Sequence, residues 1–223
     1  MTAITISRQF GSGGSEVARR VAAALGWRLV DNAFVDGIAT ALDASPATAE
    51  AVDEHVPTLA ERIADAFAFG GSEVVPAALG ATLPPTEHRV AEITQQVIDQ
   101  ALAQGPAVVV GRGAQSYLAK RADVVHVLCC APLDALVART MEQDGLDRAT
   151  AEATVRARNR EREQYVRRHF DRSWLAPEHY DLVINTGTLG IDGAVDLVLD
   201  LARGRFGDPG AGSPPPQSSR ISG

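Results

Sequence analysis

Short apolar runs rich in β-branched residues alternate along the chain with longer segments whose apolar residues recur every three or four positions. The first pattern is typical of buried strands and the second of amphipathic helices. Their alternation favours an α/β fold, in which a parallel sheet is covered by helices. The predicted strands cover residues 4–7, 28–31, 107–110, 124–129 and 182–185.

Helical spacing predicts helices over residues 17–25, 88–104, 132–142, 148–169 and 191–202. Residues 34–70, between the second and third strands, have a helical pattern without strand signals. With the Gly/Pro-rich connection that follows, they predict a helical insertion over about residues 34–90. Residues 204–223 are rich in Gly, Pro and Ser, which predicts a disordered tail after one domain over residues 1–203.

The composition narrows the classes of function. The 223 residues, 45% of them hydrophobic, suit one sizeable α/β domain. No apolar run approaches the roughly 18 residues that a membrane helix needs, and no basic segment with a cleavage site precedes the first strand. The two cysteines, Cys129 and Cys130, are adjacent in an apolar run, which favours reduced core thiols. We therefore expect a cytoplasmic protein.

The charge is unevenly distributed. The net charge is −7, yet seven arginines between residues 156 and 172 stand against only Glu161, Glu163 and Asp171. This local excess of +4 leaves −11 for the rest of the chain. A basic segment in an acidic protein is a candidate anion-binding site. Lys120 is the only lysine, against 20 arginines.

A glycine-rich loop joins the first strand to the first helix. Backbone N–H groups in such a loop, together with the helix N-terminus, can bind phosphate groups. A simple turn between strand and helix is the alternative. The residues predicted to bind ATP through this loop are Gly11, Ser12, Gly13, Gly14 and Ser15.

The loop departs from the Walker pattern, because Gly14 stands where the lysine should be and Arg8 where the first glycine should be. Ser15 keeps the hydroxyl that would bind Mg²⁺. The missing lysine normally contacts the β- and γ-phosphates, so either another cation replaces it or the site does not turn over ATP. Arg8 is the nearest candidate cation, since a guanidinium can bind phosphate through two hydrogen bonds. A solvated loop arginine is the alternative.

The segment from Ile4 to Arg19 resembles the start of a cytidylate kinase, and more closely the cytidylate kinase-like family, whose Walker loop is degenerate in this way. The resemblance covers nearly all of residues 3–202. It implies the nucleoside monophosphate kinase fold: a three-layer P-loop NTPase-type fold with a five-stranded parallel sheet, a monophosphate-binding insertion and an arginine-rich lid over about residues 145–172. Further residues that carry it are Leu25-Gly26-Trp27, Asp31, Val109-Val110-Gly111-Arg112-Gly113, Asn159, Arg162, Tyr165, Trp174 and Tyr180 to Thr186.

Two residues are candidates for binding the phosphoryl acceptor. Arg112 directly follows an apolar strand, at the sheet edge where open α/β sheets bind ligands. In cytidylate kinases the corresponding arginine contacts the monophosphate, although Gly113 stands where these enzymes usually have Asp, which leaves pyrimidine selectivity open. Asp31 ends the second strand at the same edge and would contact Mg²⁺ or the acceptor, or cap the next helix. For Arg112 the alternative is an ion pair with a surface acid.

The basic helix supplies the remaining candidates. Arg158 and Arg162 are four residues apart and share one helical face. Together with Arg168, and with Arg8 from the loop, they are predicted to stabilise the charge that develops on the transferred phosphoryl group. The alternative is a solvated helix in which Glu161 and Glu163 pair with the arginines. Tyr165 and Trp174 are expected to pack the lid against the body.

The resulting hypothesis is an ATP- and Mg²⁺-dependent kinase that phosphorylates a nucleoside monophosphate such as CMP or dCMP. A nucleotide-binding sensor without turnover is an alternative of a different class, which Gly14 and Gly113 both favour. A kinase of another small metabolite is a third possibility. Binding of RNA or DNA by the basic helix is opposed by the net charge and the lack of interleaved aromatic residues. Nucleotides, but no nucleic acid or membrane, are thus the expected partners.

Overall fold

The computed structural model describes residues 2–31, 34 and 87–207. Five strands form one sheet in which every neighbouring pair is parallel, in the order β2-β3-β1-β4-β5. Most of the predicted insertion over residues 34–90, and the tail from residue 208 onward, lie outside the described residues. The strands are β1 (Ala3–Arg8), β2 (Arg28–Val30), β3 (Ala107–Val110), β4 (Val124–Cys130) and β5 (Leu182–Asn185).

Six α-helices and one 3₁₀ turn are seen in the described part of the chain. They are α1 (Gly14–Leu25), α2 (Glu87–Gln104), α3 (Ala114–Tyr117), α4 (Leu133–Asp144), α5 (Arg148–Phe170), the 3₁₀ turn Pro177–His179, and α6 (Thr186–Phe206). All five predicted strands are confirmed. The short α3 and the 3₁₀ turn escaped prediction because three or four residues cannot display a helical period.

The last helix differs most from its prediction over residues 191–202. It begins at Thr186, capped by Asn185, whose side chain accepts a hydrogen bond from the amide of Gly187. Gly190 interrupts it with φ 68° and ψ −178°, a conformation outside the helical region. The apolar period therefore becomes regular only after this kink, which explains the late predicted start.

β1 is the centre of the sheet, and both faces of the sheet are covered. One face packs on α2 and α3, and the other on α1 and α6, which gives the three-layer α/β architecture. Along the chain, β1 is followed by β2 and β3, which lie on one side of it in the sheet, and then by β4 and β5, which lie on the other side. Ligands of open α/β sheets bind where the strand order reverses in this way, at the carboxyl ends of the strands. None of the described helices is long and apolar enough to span a bilayer.

A polar pair lies inside this otherwise apolar sheet. Thr5 of β1 and His126 of β4 are paired in register, and the Thr5 hydroxyl is 2.7 Å from His126 Nδ1. Burial lowers the pKa of His126, and Arg172 lowers it further, while the nearby Asp181 acts in the opposite direction. The folded protein therefore disfavours the protonated imidazole.

This lowered pKa predicts a specific pH dependence of stability. Below the ordinary histidine pKa of 6.5, the unfolded chain takes up a proton at His126 more readily than the folded chain. The free energy of unfolding therefore decreases as the pH is lowered through this range. We expect His126→Gln, which cannot take up this proton, to flatten the fall between about pH 7.5 and 5, measured by urea unfolding at each pH. If the substitution only removed the Thr5 contact, the whole curve of unfolding free energy against pH would shift without changing its slope. Parallel curves for the wild type and His126→Gln would therefore contradict the lowered pKa of His126.

Candidate active site

The glycine-rich loop between β1 and α1 is held by its carbonyl oxygens. Thr186 Oγ1 donates to the carbonyl of Ser12 at 2.7 Å, and Arg139 donates to that of Gly11 at 2.8 Å. The amides of Gly13, Gly14 and Ser15 open α1, and among the described residues nothing accepts a hydrogen bond from them. The loop thus presents donors at a helix N-terminus, an arrangement suited to an anion.

Helix α5 is attached directly to this loop. Asn159 accepts a hydrogen bond from the amide of Phe10 at 2.7 Å, and Arg162 donates to the carbonyl of Arg8 at 2.6 Å. The Arg162 guanidinium also lies 5.6 Å from the centroid of the Phe10 ring, within range of a cation–π interaction. The predicted lid helix therefore lies against the glycine-rich loop.

The side chain of Arg8 crosses the first turn of α1. A Cβ atom placed on Gly14 would lie 2.5 Å from Arg8 Cβ, so the arginine stem occupies the space beside Gly14. Arg8 Nε lies 3.4 Å from Ser15 Oγ. A Cβ atom on Gly111, in the turn after β3, would lie 1.7 Å from the terminal nitrogen of Arg8. The guanidinium therefore lies between the loop and the end of β3.

Three of the predicted site arginines, Arg8, Arg112 and Arg162, meet at one cavity of about 300 Å³. We call them the arginine triad. Burial lowers the pKa of Arg8 to about 10, with further contributions from Arg162 and Arg112. Burial likewise lowers the pKa of Arg162 to about 10, with a contribution from Arg158. The cavity is lined by Ser7, Arg8, Gly111, Arg112, Glu161, Arg162, Tyr165, Val166 and Trp174.

These pKa shifts show that the positive charges are concentrated and partly removed from water. Bringing like charges together in a desolvated site is unfavourable, and a bound anion would offset that cost. One carboxylate, Glu161, also lines the cavity. Glu161 forms an ion pair with Arg158 at 3.3 Å.

Arg112 is held in an unusual backbone conformation. Its φ of 48° lies in the left-handed region, which residues other than glycine rarely adopt. Gly111 before it and Gly113 after it have φ of 69° and 70°, so three successive residues form a tight turn between β3 and α3. Such strain is concentrated at functional sites and here fixes the arginine at the carboxyl edge of the sheet.

The remaining predicted residues lie around the triad. The Asp31 carboxylate accepts a hydrogen bond from the Phe34 amide at 2.9 Å, as a helix cap would, and it also raises the pKa of Arg8. Arg158 is exposed and pairs with Glu161 at 3.3 Å. Arg168 is also exposed. Neither Arg158 nor Arg168 lines the cavity, and their catalytic roles stay predictions.

Two side chains that hold the loop, those of Arg139 and Gln9, are not indicated by the sequence pattern. Arg139 binds the carbonyl of Gly11 from 128 residues away. Gln9 accepts a hydrogen bond from the amide of Ala131, at the end of β4, at 3.0 Å. Both contacts join distant parts of the chain, so no local sequence pattern predicts them.

The structure explains why a glycine occupies position 113. A Cβ atom there would lie 2.1 Å from Cε2 of Phe170, at the end of α5. The aspartate that cytidylate kinases usually carry at this position would displace the Phe170 ring. Helix α5 thus contacts the site at the turn after β3 as well as at the loop.

Comparisons with known proteins agree with this architecture. The sequence model of the cytidylate kinase-like family matches residues 3–188. A crystal structure of an uncharacterized protein from Eubacterium ventriosum superimposes with a TM-score of 0.67 at 20% identity, covering 92% of this chain and 100% of that one. A crystal structure from Thermus thermophilus has a TM-score of 0.50 at 21% identity, covering 92% and 97%. At these identities the likeness shows the fold.

A further match covers part of a larger protein. Over 132 residues the chain is 29% identical to a uronate isomerase of Corynebacterium glutamicum, which is 59% of this chain and 25% of the relative. The matched segment thus spans about a quarter of the length of that relative.

The contact between Gly113 and Phe170 predicts a large effect of a small substitution. Gly113→Ala combines a left-handed φ, costing about 1–2 kcal/mol, with overpacking against Phe170, costing about 1–3 kcal/mol. Gly145→Ala is a matched control, because Gly145 has φ 66° but no atom within 4 Å of an added Cβ. We expect denaturant unfolding to show a greater loss for Gly113→Ala, and Phe170→Leu to relieve part of it. Equal losses at the two glycines would contradict the described packing.

Proposed function

The chain belongs to the cytidylate kinase-like family, and from that premise we propose that it transfers the γ-phosphoryl group of ATP to a nucleoside monophosphate, with CMP or dCMP as the first candidates. Family and fold are those of a P-loop kinase. The observation that carries the proposal is the arginine triad, which lines one cavity and whose Arg8 reaches to 3.4 Å from the Ser15 hydroxyl of the glycine-rich loop. Triphosphate donor and monophosphate acceptor both need concentrated positive charge at neighbouring positions.

The donor phosphates bind at the start of α1. The amides of Gly13, Gly14 and Ser15 point outward there, and the helix dipole adds positive potential. Gly11 and Ser12 give the loop its shape, because their carbonyls are the ones held by Arg139 and Thr186.

The side chains around the loop fit a Mg²⁺ ion that is bound mainly through the substrate. Ser15 is exposed in the first turn of α1, and no cluster of three acidic, His or Cys side chains occurs in the described residues. Mg²⁺ commonly takes one or two protein oxygens and completes its shell with phosphate oxygens and water. Ser15 would hold it, with Asp31 as the nearest carboxylate candidate. When bound, the ion neutralises charge on the donor phosphates.

The acceptor phosphate binds to Arg112 and Arg162. Arg112 projects from the turn after β3 and Arg162 from α5, so the two guanidinium groups approach the cavity from different elements. Tyr165, Val166 and Trp174 form its less polar wall. A cavity of about 300 Å³ lies at the lower end of the range for small-ligand sites. The remaining lid candidates, Arg158 and Arg168, would approach from the exposed side of α5.

The reaction needs no redox partner and no general base. An oxygen of the acceptor phosphate forms a bond to the γ-phosphorus, while the bond between that phosphorus and the β–γ bridging oxygen breaks. ADP leaves with the electron pair, and the acceptor becomes a diphosphate. The attacking phosphate is already ionised, so the protein contributes position and charge stabilisation. We place the reaction in the cytoplasm, where ATP is available and thiols such as Cys129 and Cys130 stay reduced.

One observation favours a different acceptor for the same phosphoryl donor. Phe170 occupies the space where cytidylate kinases usually carry an aspartate, so the acceptor site lacks that carboxylate. The similarity of a chain segment to part of a uronate isomerase adds uronates to the compounds that deserve testing. The second candidate function is therefore phosphorylation of another small anionic metabolite.

A coupled assay of ADP release tests the proposal. We expect ATP- and Mg²⁺-dependent turnover with one member of a panel of nucleoside monophosphates and uronates. Arg112→Ala should lower kcat/KM for that acceptor by about 10- to 100-fold, the effect of losing a charged hydrogen bond. The KM for ATP should change little. Arg203→Ala, an exposed residue that pairs with Asp200 on α6, is the control and should match the wild type.

Two results would contradict the proposal in different ways. ATP binding without turnover on any acceptor would favour a nucleotide sensor. Turnover that Arg112→Ala leaves unchanged would refute the acceptor site while retaining the kinase activity.

A further inference from the structure

We propose that Arg8 replaces the missing Walker lysine from the end of β1, and that its guanidinium bridges the γ-phosphate of the donor and the phosphate of the acceptor. The inference rests on the proposed function and deepens it. It also gives Gly14 a purpose, because the glycine provides the space through which the Arg8 side chain passes.

Steric contact links positions 8 and 14. A Cβ atom on Gly14 would lie 2.5 Å from Cβ and 3.2 Å from Cγ of Arg8, and 3.0 Å from Cβ of Cys129. Real Cβ atoms are not found at 2.5 Å from another carbon. Any side chain at position 14, including the lysine of an intact Walker loop, would therefore collide with the Cβ atom of Arg8. Only a glycine at position 8, where the Walker pattern has one, would remove that contact. Arg8 and a Walker lysine at position 14 are therefore alternative ways of placing a cation at the donor phosphates.

A second glycine shapes the far end of the path. A Cβ atom on Gly111 would lie 1.7 Å from one terminal nitrogen of Arg8 and 2.9 Å from its Cζ. The guanidinium thus lies against the backbone that carries Arg112. On the side of the donor loop, the Nε atom of Arg8 is 3.4 Å from the hydroxyl of Ser15. One side chain therefore extends from the donor side of the site to the acceptor side.

The charges around Arg8 leave it suited to an anion. Arg162 and Arg112 both act on Arg8 as like charges, and Asp31 is the carboxylate that opposes them. Arg162 already donates to the backbone carbonyl of Arg8, so the two arginines are held side by side. Binding of phosphate groups would offset the repulsion among them.

An arginine suits this position better than a lysine. Its planar guanidinium carries five N–H donors in a fixed fork and can bind two phosphate groups at once, whereas an ammonium group is a point charge. A bridging cation would hold donor and acceptor oxygens in line and stabilise charge on the group in transit. The role assigned to Arg8 is therefore that of a catalytic residue.

The experiment measures binding of AMP-PNP with Mg²⁺, and of ADP with Mg²⁺, by isothermal titration calorimetry. Arg8→Met keeps the apolar stem beside Gly14 while removing the charge. We expect Arg8→Met to weaken AMP-PNP binding by about 10- to 100-fold, as for a lost charged hydrogen bond. ADP lacks the γ-phosphate and should lose less. Arg19→Ala, an exposed residue of α1, is the control and should bind both nucleotides as the wild type does.

A charge relocation completes the test. Gly14→Lys alone should weaken AMP-PNP binding, because the new side chain collides with Arg8. The double variant Arg8→Gly/Gly14→Lys restores both Walker residues, and because glycine has no Cβ it also removes the closest contact at position 14. It should bind AMP-PNP at least about tenfold more tightly than Arg8→Gly, which corresponds to recovering about half of a charged hydrogen bond. Thermal unfolding of each variant shows whether it is folded.

The outcomes separate the two proposals. A wild-type protein that binds neither nucleotide would refute the proposed function together with this inference. Wild-type binding that is unchanged in Arg8→Met would overturn the inference alone. Gly14→Lys binding as tightly as the wild type would also overturn it, since it would show that both side chains fit.

Discussion

The passage of the Arg8 side chain over the backbone of Gly14 is the contact on which the rest of the site depends. It places a guanidinium between the glycine-rich loop and the turn after β3, which carries Arg112. Because Gly14 and Gly111 have no side chains, the arginine can follow the backbone closely at both ends. A loop that lacks the Walker lysine is therefore consistent with phosphate binding, since we propose that Arg8, the last residue of β1, supplies the cation in its place.

The surrounding fold fixes this contact from both sides. β1 is the central strand, and its end carries Arg8 into the point where the strand order reverses. Helix α5 contacts the glycine-rich loop, although only Ala151, Val155 and Val166 of its 23 residues are buried. Its first part packs on α4 through Ala151 and Val155. Two polar contacts join its middle to the glycine-rich loop: Asn159 with the Phe10 amide and Arg162 with the Arg8 carbonyl. Each such hydrogen bond contributes about 0.5–3 kcal/mol.

Much of this could be predicted from the sequence, for physical reasons that also explain the rest. Parallel strands are buried on both faces, so runs such as Ala107–Val110 stand out without any structure. Because the carboxyl ends of these strands share one edge, Arg112 and Asp31 could be placed there, and the four-residue spacing from Arg158 pointed to Arg162. The contacts of Thr186 with Ser12 and of Arg139 with Gly11 join residues 174 and 128 positions apart and leave no periodic signal. The packing of Phe170 against Gly113 is equally invisible, because it depends on where α5 ends in space.

A crystal structure with AMP-PNP, Mg²⁺ and CMP bound tests the central claim most directly. We expect the triphosphate on the amides of Gly13, Gly14 and Ser15, with the Arg8 guanidinium between the γ-phosphate and the acceptor phosphate. Arg112 and Arg162 should contact the acceptor phosphate in the same cavity. A triphosphate bound elsewhere, or an Arg8 side chain turned away from both phosphates, would contradict it.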